Sequence, residues 1–227
     1  MKNKKKGFTL VELMVVLVII GILMGIGTRI YYIEKNRFEY NNSLNKMLAL
    51  IKTARNSAIS TSPIYINGKG VIPKNGYGVH INLKPKDEEP HFTVFAIMGD
   101  NSKKYDGGPE NKPTKGDDYI IEKYRLPRHV KFQYFLYDKG DDKGSVEQWN
   151  KGSALPTNDE SVIIFRPPLA QAYLGDNAGG DLEELGMRFY NHAASQNSPK
   201  RCQYIRINRV KTFPTIEYSN CKEYEVN

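Results

Sequence analysis

The chain has 227 residues, 40% of them hydrophobic, with 15 Tyr, 9 Phe and 1 Trp, enough for one folded domain of ordinary size plus an appendage. Its mean hydropathy of −0.55 excludes a protein with several membrane spans and leaves room for one. The formal charge of +8 falls to +4 once Lys2, Lys4, Lys5 and Lys6 are set aside, leaving 29 basic against 25 acidic residues, and so mild a balance demands no nucleic-acid partner.

The N-terminal segment carries the strongest pattern. After the lysines, residues 8–27 form an apolar run that as a helix would rise about 30 Å, the thickness of a bilayer's hydrocarbon core. The lysines should stay cytoplasmic and the rest of the chain lie outside. A cleavable secretory signal would close with a small-x-small site before polar sequence begins, and none is found here. The small residue is Gly7, between the lysines and the apolar run, so cleavage after it would remove a charged leader (residues 1–7) and keep the span (8–28). Glu12 is the anomaly. A carboxylate in a membrane segment costs about 2.5–3.5 kcal/mol near the centre and less near an end, and such groups usually have a dedicated partner. Cutting after Gly7 would create one, a new α-amino group on Phe8, which in a filament is positioned to pair with Glu12 of a neighbouring subunit.

Gly21, Gly25 and Gly27 interrupt the span. They fit either close helix–helix approach or the ordinary frequency of glycine in membrane helices. With no proline between Met1 and Ser62, the helix is expected to continue through residues 29–62. There Leu44, Met47, Leu48, Ile51, Ala54 and Ala58 recur at three- and four-residue spacing and predict an apolar stripe, with residues 30–42 as an exposed neck. Ser60, Thr61, Ser62 and Pro63 should end the helix.

From residue 63 to 227 the pattern changes to period two. Strands are expected at 64–66, 77–83, 92–98, 119–124, 130–137, 162–166, 204–210 and 215–218, separated by polar segments at 99–118, 138–159 and 175–185. The fold class predicted is α+β: one long N-terminal helix, first membrane-spanning and then amphipathic, packed on a mostly antiparallel sheet.

Motifs for catalysis are missing from the sequence. His80, His91, His129 and His192 have no paired metal-ligand spacing, and no G-x-S-x-G, Walker or dinucleotide glycine pattern occurs, so neither enzyme activity, nor a cofactor, nor a metal is expected. The segment from Asp138 to Glu147 is rich in oxygen ligands but does not fit the EF-hand spacing, and the acidic stretch from Asp176 to Glu184 reads as a solvated turn. Cys202 and Cys221 are separated by 18 residues, without a CxxC pair. In an oxidising compartment a bridge between them would stabilise by roughly 3 kcal/mol; two separate buried thiols are the other reading. Lys200, Arg201, Arg206, Arg209 and Lys211 cluster near the C-terminus, although strand alternation would put Arg206 and Arg209 on opposite faces. Their density fits phosphate contacts or a charge-defended edge strand.

Gly7-Phe8-Thr9-Leu10-Val11-Glu12, behind a basic leader and ahead of an uninterrupted apolar run, resembles the signal of type IV pilins and type II secretion pseudopilins. The resemblance implies cleavage between Gly7 and Phe8 by a membrane prepilin peptidase and N-methylation of Phe8 by the same enzyme. It implies a single-pass precursor in the inner membrane, with the N-terminus cytoplasmic and the domain outside. Its partners would be other pilin or pseudopilin subunits, the inner-membrane assembly platform and membrane lipid. Further landmarks are similar to the H-type minor pseudopilins and their pilus relatives: Ala54-Arg55-Asn56-Ser57-Ala58-Ile59, Leu126-Pro127, Ile164-Phe165-x-Pro167, and a terminal strand pair. Ser57 stands where that group has an acid, and Pro168-Leu169 where it has a glycine. The function implied is a structural subunit, a minor pseudopilin or minor pilin that primes or tips a filament. The alternative is a DNA-binding minor pilin of an uptake system, using Arg206, Arg209 and Lys211; a membrane-anchored exported enzyme has no motif behind it.

Overall fold

The computed structural model describes residues 7, 9–82, 89–99, 105, 118–128, 130–138, 160–176, 182–191 and 202–219. Helix α1 runs from Leu10–Ile59, 50 residues or about 75 Å. Thr9 caps its start with an extended backbone (φ −78°, ψ 154°), as side-chain capping requires. At the other end the Ser60 amide donates to the Asn56 carbonyl at 2.9 Å, and Thr61 turns into the left-handed region at φ 44°.

The two halves of α1 differ in kind. The first is exposed, apolar side chains included, whereas the second buries Tyr40, Ser43, Leu44, Met47, Leu50, Ile51, Ala54 and Ala58. That three- and four-residue spacing is the stripe of a helix lying on a domain. The expected neck is shorter than residues 30–42: Tyr40 is buried and its hydroxyl donates to the Phe189 carbonyl at 3.1 Å, so the helix meets the domain there.

Eleven strands follow among the described residues: β1 Ile64–Ile66, β2 Lys69–Val71, β3 Tyr77–Asn82, β4 His91–Ala96, β5 Tyr119–Arg125, β6 Val130–Asp138, β7 Glu160–Arg166, β8 Gln171–Asp176, β9 Glu184–Asn191, β10 Cys202–Asn208 and β11 Thr215–Ser219. They form a small β1-β2 ribbon, a four-stranded sheet in the order β11-β10-β9-β6 and a five-stranded sheet in the order β5-β4-β3-β7-β8. Every pairing among them is antiparallel. The α+β class is therefore as expected, with the strands divided between two principal sheets. Eight strands stand where the sequence pattern put them, to within a few residues. Strands β2, β8 and β9 are additional, and β8 and β9 take up the two ends of the stretch expected to be polar at 175–185. A bridge between Leu174 and Leu182 ties β8 to the approach of β9 and so joins the sheets.

The main core lies between α1 and both sheets. Met47, Leu50, Ile51 and Ala54 share it with Val79 and Ile81 of β3, Ile163 and Phe165 of β7, Met187 and Phe189 of β9, and Ile205 and Ile207 of β10. Alternation explains why β7 is buried along its length: Ile163 and Phe165 face this core, while Val162 and Ile164 join Phe95, Ile97 and Tyr173 in a second cluster. Gly78, opposite Phe95 in the β3–β4 register, leaves room for that ring, which a Cβ would collide with.

Candidate assembly site at the N-terminal helix

Thr9 and Glu12 form a reciprocal capping box. The Thr9 amide donates to Glu12 Oε2 at 2.8 Å, the Thr9 hydroxyl donates to the same oxygen at 2.9 Å, and the Glu12 amide donates to Thr9 Oγ1 at 3.3 Å. In the single chain this lone carboxylate is therefore held by the helix's own first turn. Gly7 is exposed, and Phe8 lies outside the described residues.

From Leu13 to Gly27 the helix is apolar on every side, and an 18-residue window of it has a mean hydropathy of 2.7 with none of it buried. By length and composition it can cross a membrane. A Cβ added at Gly21, Gly25 or Gly27 would meet nothing within 4 Å. Below the span, Tyr31 and Tyr32 are exposed and meet edge to face with centroids 5.8 Å apart, followed by the ion pairs Arg37–Glu34 and Lys35–Glu39. That order, apolar rod, tyrosines, then charges, matches the passage from hydrocarbon through headgroups to water.

The basic C-terminal residues are separated by the fold. Arg206 on β10 pairs with Glu184 of β9 and Glu217 of β11. Burial alone would lower its pKa, but those two carboxylates hold it above the usual guanidinium value. Arg209 and Lys211 lie beyond β10, exposed, and line a cleft with Arg55 of α1 and Arg166 of β7. Arg55 Nε donates to Thr212 Oγ1 at 3.0 Å, and its guanidinium lies 4.0 Å from the centroid of Phe213. Arg206 therefore does not join Arg209 and Lys211, and Lys200 and Arg201 lie outside the described residues.

Sequence reasoning also missed Arg188, fully buried on β9 with its guanidinium 5.4 Å from the Tyr204 ring. It faces the phenol of Tyr40, whose pKa burial raises far above the ordinary value while the Arg188 charge opposes that rise.

His80 is buried, stacks on Tyr105 at 4.5 Å and approaches Glu160 Oε2 with Nε2 at 3.4 Å. His91 is paired through Nδ1 with the Glu89 carbonyl at 3.0 Å. His129 and His192 lie outside the described residues, as do residues 139–147 of the oxygen-rich segment and 177–181 of the second acidic stretch. Among the described residues no group of three His, Cys, Asp or Glu is placed to hold a metal. Cys202 opens β10 fully buried, and no free cysteine occurs among the described residues; Cys221 lies outside them.

No curated protein and no solved structure matches the chain. Residues 2–28 match the prokaryotic N-terminal methylation motif. That motif, at the head of an exposed apolar helix, implies a type IV pilin- or pseudopilin-like structural subunit that is processed by a prepilin peptidase and assembles with other pilins.

Proposed function

We propose that the chain is a minor pseudopilin of a type II secretion system or a minor pilin of a type IV pilus, priming or tipping its filament. Cleavage after Gly7 and N-methylation of Phe8 mature it. Before assembly it sits once across the inner membrane, its N-terminus cytoplasmic and its domain on the far side, in contact with the assembly platform. The capping box carries this reading. The Glu12 carboxylate is satisfied by neutral donors from Thr9, and a cationic α-amine from a neighbour would add Coulombic attraction between two full charges to a hydrogen bond at the same oxygens, worth most where water is excluded. Exchange of one for the other sets adjacent subunits in register, and the all-round apolar helix supplies cohesion.

The test is N-terminal sequencing and mass spectrometry of the protein from cells with an active prepilin peptidase. A mature chain starting at N-methylated Phe8 is expected, and a chain that keeps its lysine leader sinks the reading. The DNA-binding alternative draws on Arg209 and Lys211, since Arg206 is engaged by two carboxylates. A gel shift with full-length protein in detergent micelles separates the two readings: salt-sensitive retardation lost on Arg209→Glu supports it, and no retardation at low salt removes it. A bridge between Cys202 and Cys221 is proposed as the closure of the C-terminal strand pair.

A further inference from the structure

Two Asn-Gly pairs occur in the sequence, Asn67-Gly68 and Asn75-Gly76. Such a pair is chemically weak, because a glycine without a Cβ lets its own backbone nitrogen approach the carboxamide of the asparagine before it. The fold treats the two pairs in opposite ways. Asn75 is half-buried, and its side-chain amide donates to the Gly99 carbonyl at 2.7 Å. Gly76 is buried at φ +94°, its carbonyl accepts from the Ile97 amide at 3.0 Å, and the Phe165 carbonyl stands where its Cβ would be.

Asn67-Gly68 is instead the two-residue turn of the β1-β2 ribbon, between Ile66 and its partner Lys69. Both residues are exposed and both have positive φ, 51° and 76°, as the mirror-image turn of a tight hairpin requires. In such a turn the second central amide takes no part in the ladder, which leaves the Gly68 nitrogen open to reaction. The ribbon has three residue pairs and joins neither of the larger sheets. A two-stranded ribbon of that size is marginal by itself, so it opens locally at far less cost than β3 and gives Asn67 the backbone rotation that the closed turn withholds.

We infer that Asn67 is a site of spontaneous modification in the folded protein, with water as co-reactant, and that Asn75 is spared. The Gly68 nitrogen gives up its proton and bonds to Asn67 Cγ; the Cγ–Nδ2 bond breaks, and ammonia leaves with that proton. Water then adds across one of two C–N bonds of the resulting succinimide ring, giving aspartate or isoaspartate. Either product places a negative charge close to Lys69. Isoaspartate also puts an extra main-chain carbon into a turn built for two residues, and so opens the ribbon. The site lies just past the end of α1, about 48 Å of helix beyond Gly27, and depends on neither Glu12 nor assembly.

The full-length protein in uncharged detergent is aged at mildly alkaline pH, digested in acid, and both peptides are followed by mass spectrometry beside a sample held in denaturant. Both asparagines should convert in denaturant. In the folded protein Asn67 should convert faster than Asn75 by about tenfold or more, because the hydrogen bond from Asn75 to Gly99 has to open first. Asn67→Gln, which would need a slower six-membered ring, should abolish the mass change, and a thermal melt confirms that it folds. Equal rates at Asn67 and Asn75 in the folded protein, no conversion at Asn67, or a mass change in this segment that survives Asn67→Gln overturns the proposal.

Discussion

Charge and cap can be separated at Glu12, because the capping box accepts glutamine as readily as glutamate. Glu12→Gln keeps an oxygen for the Thr9 amide and hydroxyl, now 2.8 and 2.9 Å from Oε2, but removes the negative charge. Thr9→Ala does the reverse: it removes the hydroxyl that accepts from the Glu12 amide and keeps the carboxylate. Losing a cap costs about 1 kcal/mol of helix end. Removing one partner of a water-excluded ion pair costs about 3 kcal/mol or more, because the other charge is stranded. At 1.4 kcal/mol per tenfold, Glu12→Gln and Glu12→Ala should each lower incorporation by about two orders of magnitude, and Thr9→Ala by less than about tenfold. Insertion should not suffer, since deleting a carboxylate from a membrane segment favours the membrane. The assay is the ratio of sheared-filament to membrane-bound protein by quantitative blot, with wild-type partner subunits present. If Glu12→Gln assembles normally while Thr9→Ala does not, the carboxylate is a helix cap and nothing more.

The domain supplies four further outcomes. Tyr40→Phe should cost about 1 kcal/mol, since it removes the buried hydrogen bond from the Tyr40 hydroxyl to the Phe189 carbonyl. The folded phenol also titrates above its unfolded value, because burial opposes its ionisation. Both states hold the proton below about pH 10, and above it only the unfolded state releases it, so stability falls as pH rises. Thermal melts from pH 8 upward should therefore show a steeper alkaline decline for wild type than for Tyr40→Phe, and parallel curves would contradict the burial argument. Gly76→Ala forces a side chain onto φ +94° and against the Phe165 carbonyl, and should lower stability by about 1–3 kcal/mol or more in chemical denaturation. Mass spectrometry of protein alkylated without reduction should find Cys202 and Cys221 unmodified and linked, and reduction should remove roughly 3 kcal/mol of stability.

What could be read from the sequence, and what could not, divides along physical lines. The stripe of α1 repeats in sequence at its own contact period, and Ser-Thr-Ser-Pro stops it, so both its face and its end were legible. Strand β9 shows the opposite case. Leu185, Met187 and Phe189 do alternate toward the core, but Gly186 and Arg188 sit between them, and a buried arginine is legible only once Tyr40 and Tyr204 are known to surround it. Strand β8 itself has three apolar residues, Ala172, Tyr173 and Leu174, too few to outweigh the Pro-Pro turn before it and the Gly-Asp that ends it. At the assembly site Glu12 stood out by its cost in lipid, whereas the Thr9-x-x-Glu12 cap needed only the capping-box pattern and was overlooked. The basic cleft has no local signature at all. Packing of α1 against both sheets brings its three contributing segments together, and register within the four-stranded sheet takes Arg206 away from it by setting Glu184 and Glu217 alongside.

The point at which α1 changes character says why one helix can serve two environments. A domain packed on one side of a helix covers one face, so an apolar surface on all sides that lies outside the domain is left for lipid or a ring of like helices to cover. Through Ile33 the large apolar side chains of α1 are exposed, and the domain touches none of the span. From Tyr40 the apolar residues fall on one stripe, met by both sheets. The short charged stretch between them, Glu34 to Glu39, carries two ion pairs of its own, Arg37–Glu34 and Lys35–Glu39. Because none of the span is buried against the domain, the apolar rod can exchange lipid for like helices while the domain keeps its packing, and in the assembly proposed above only the partner of Glu12 has to change.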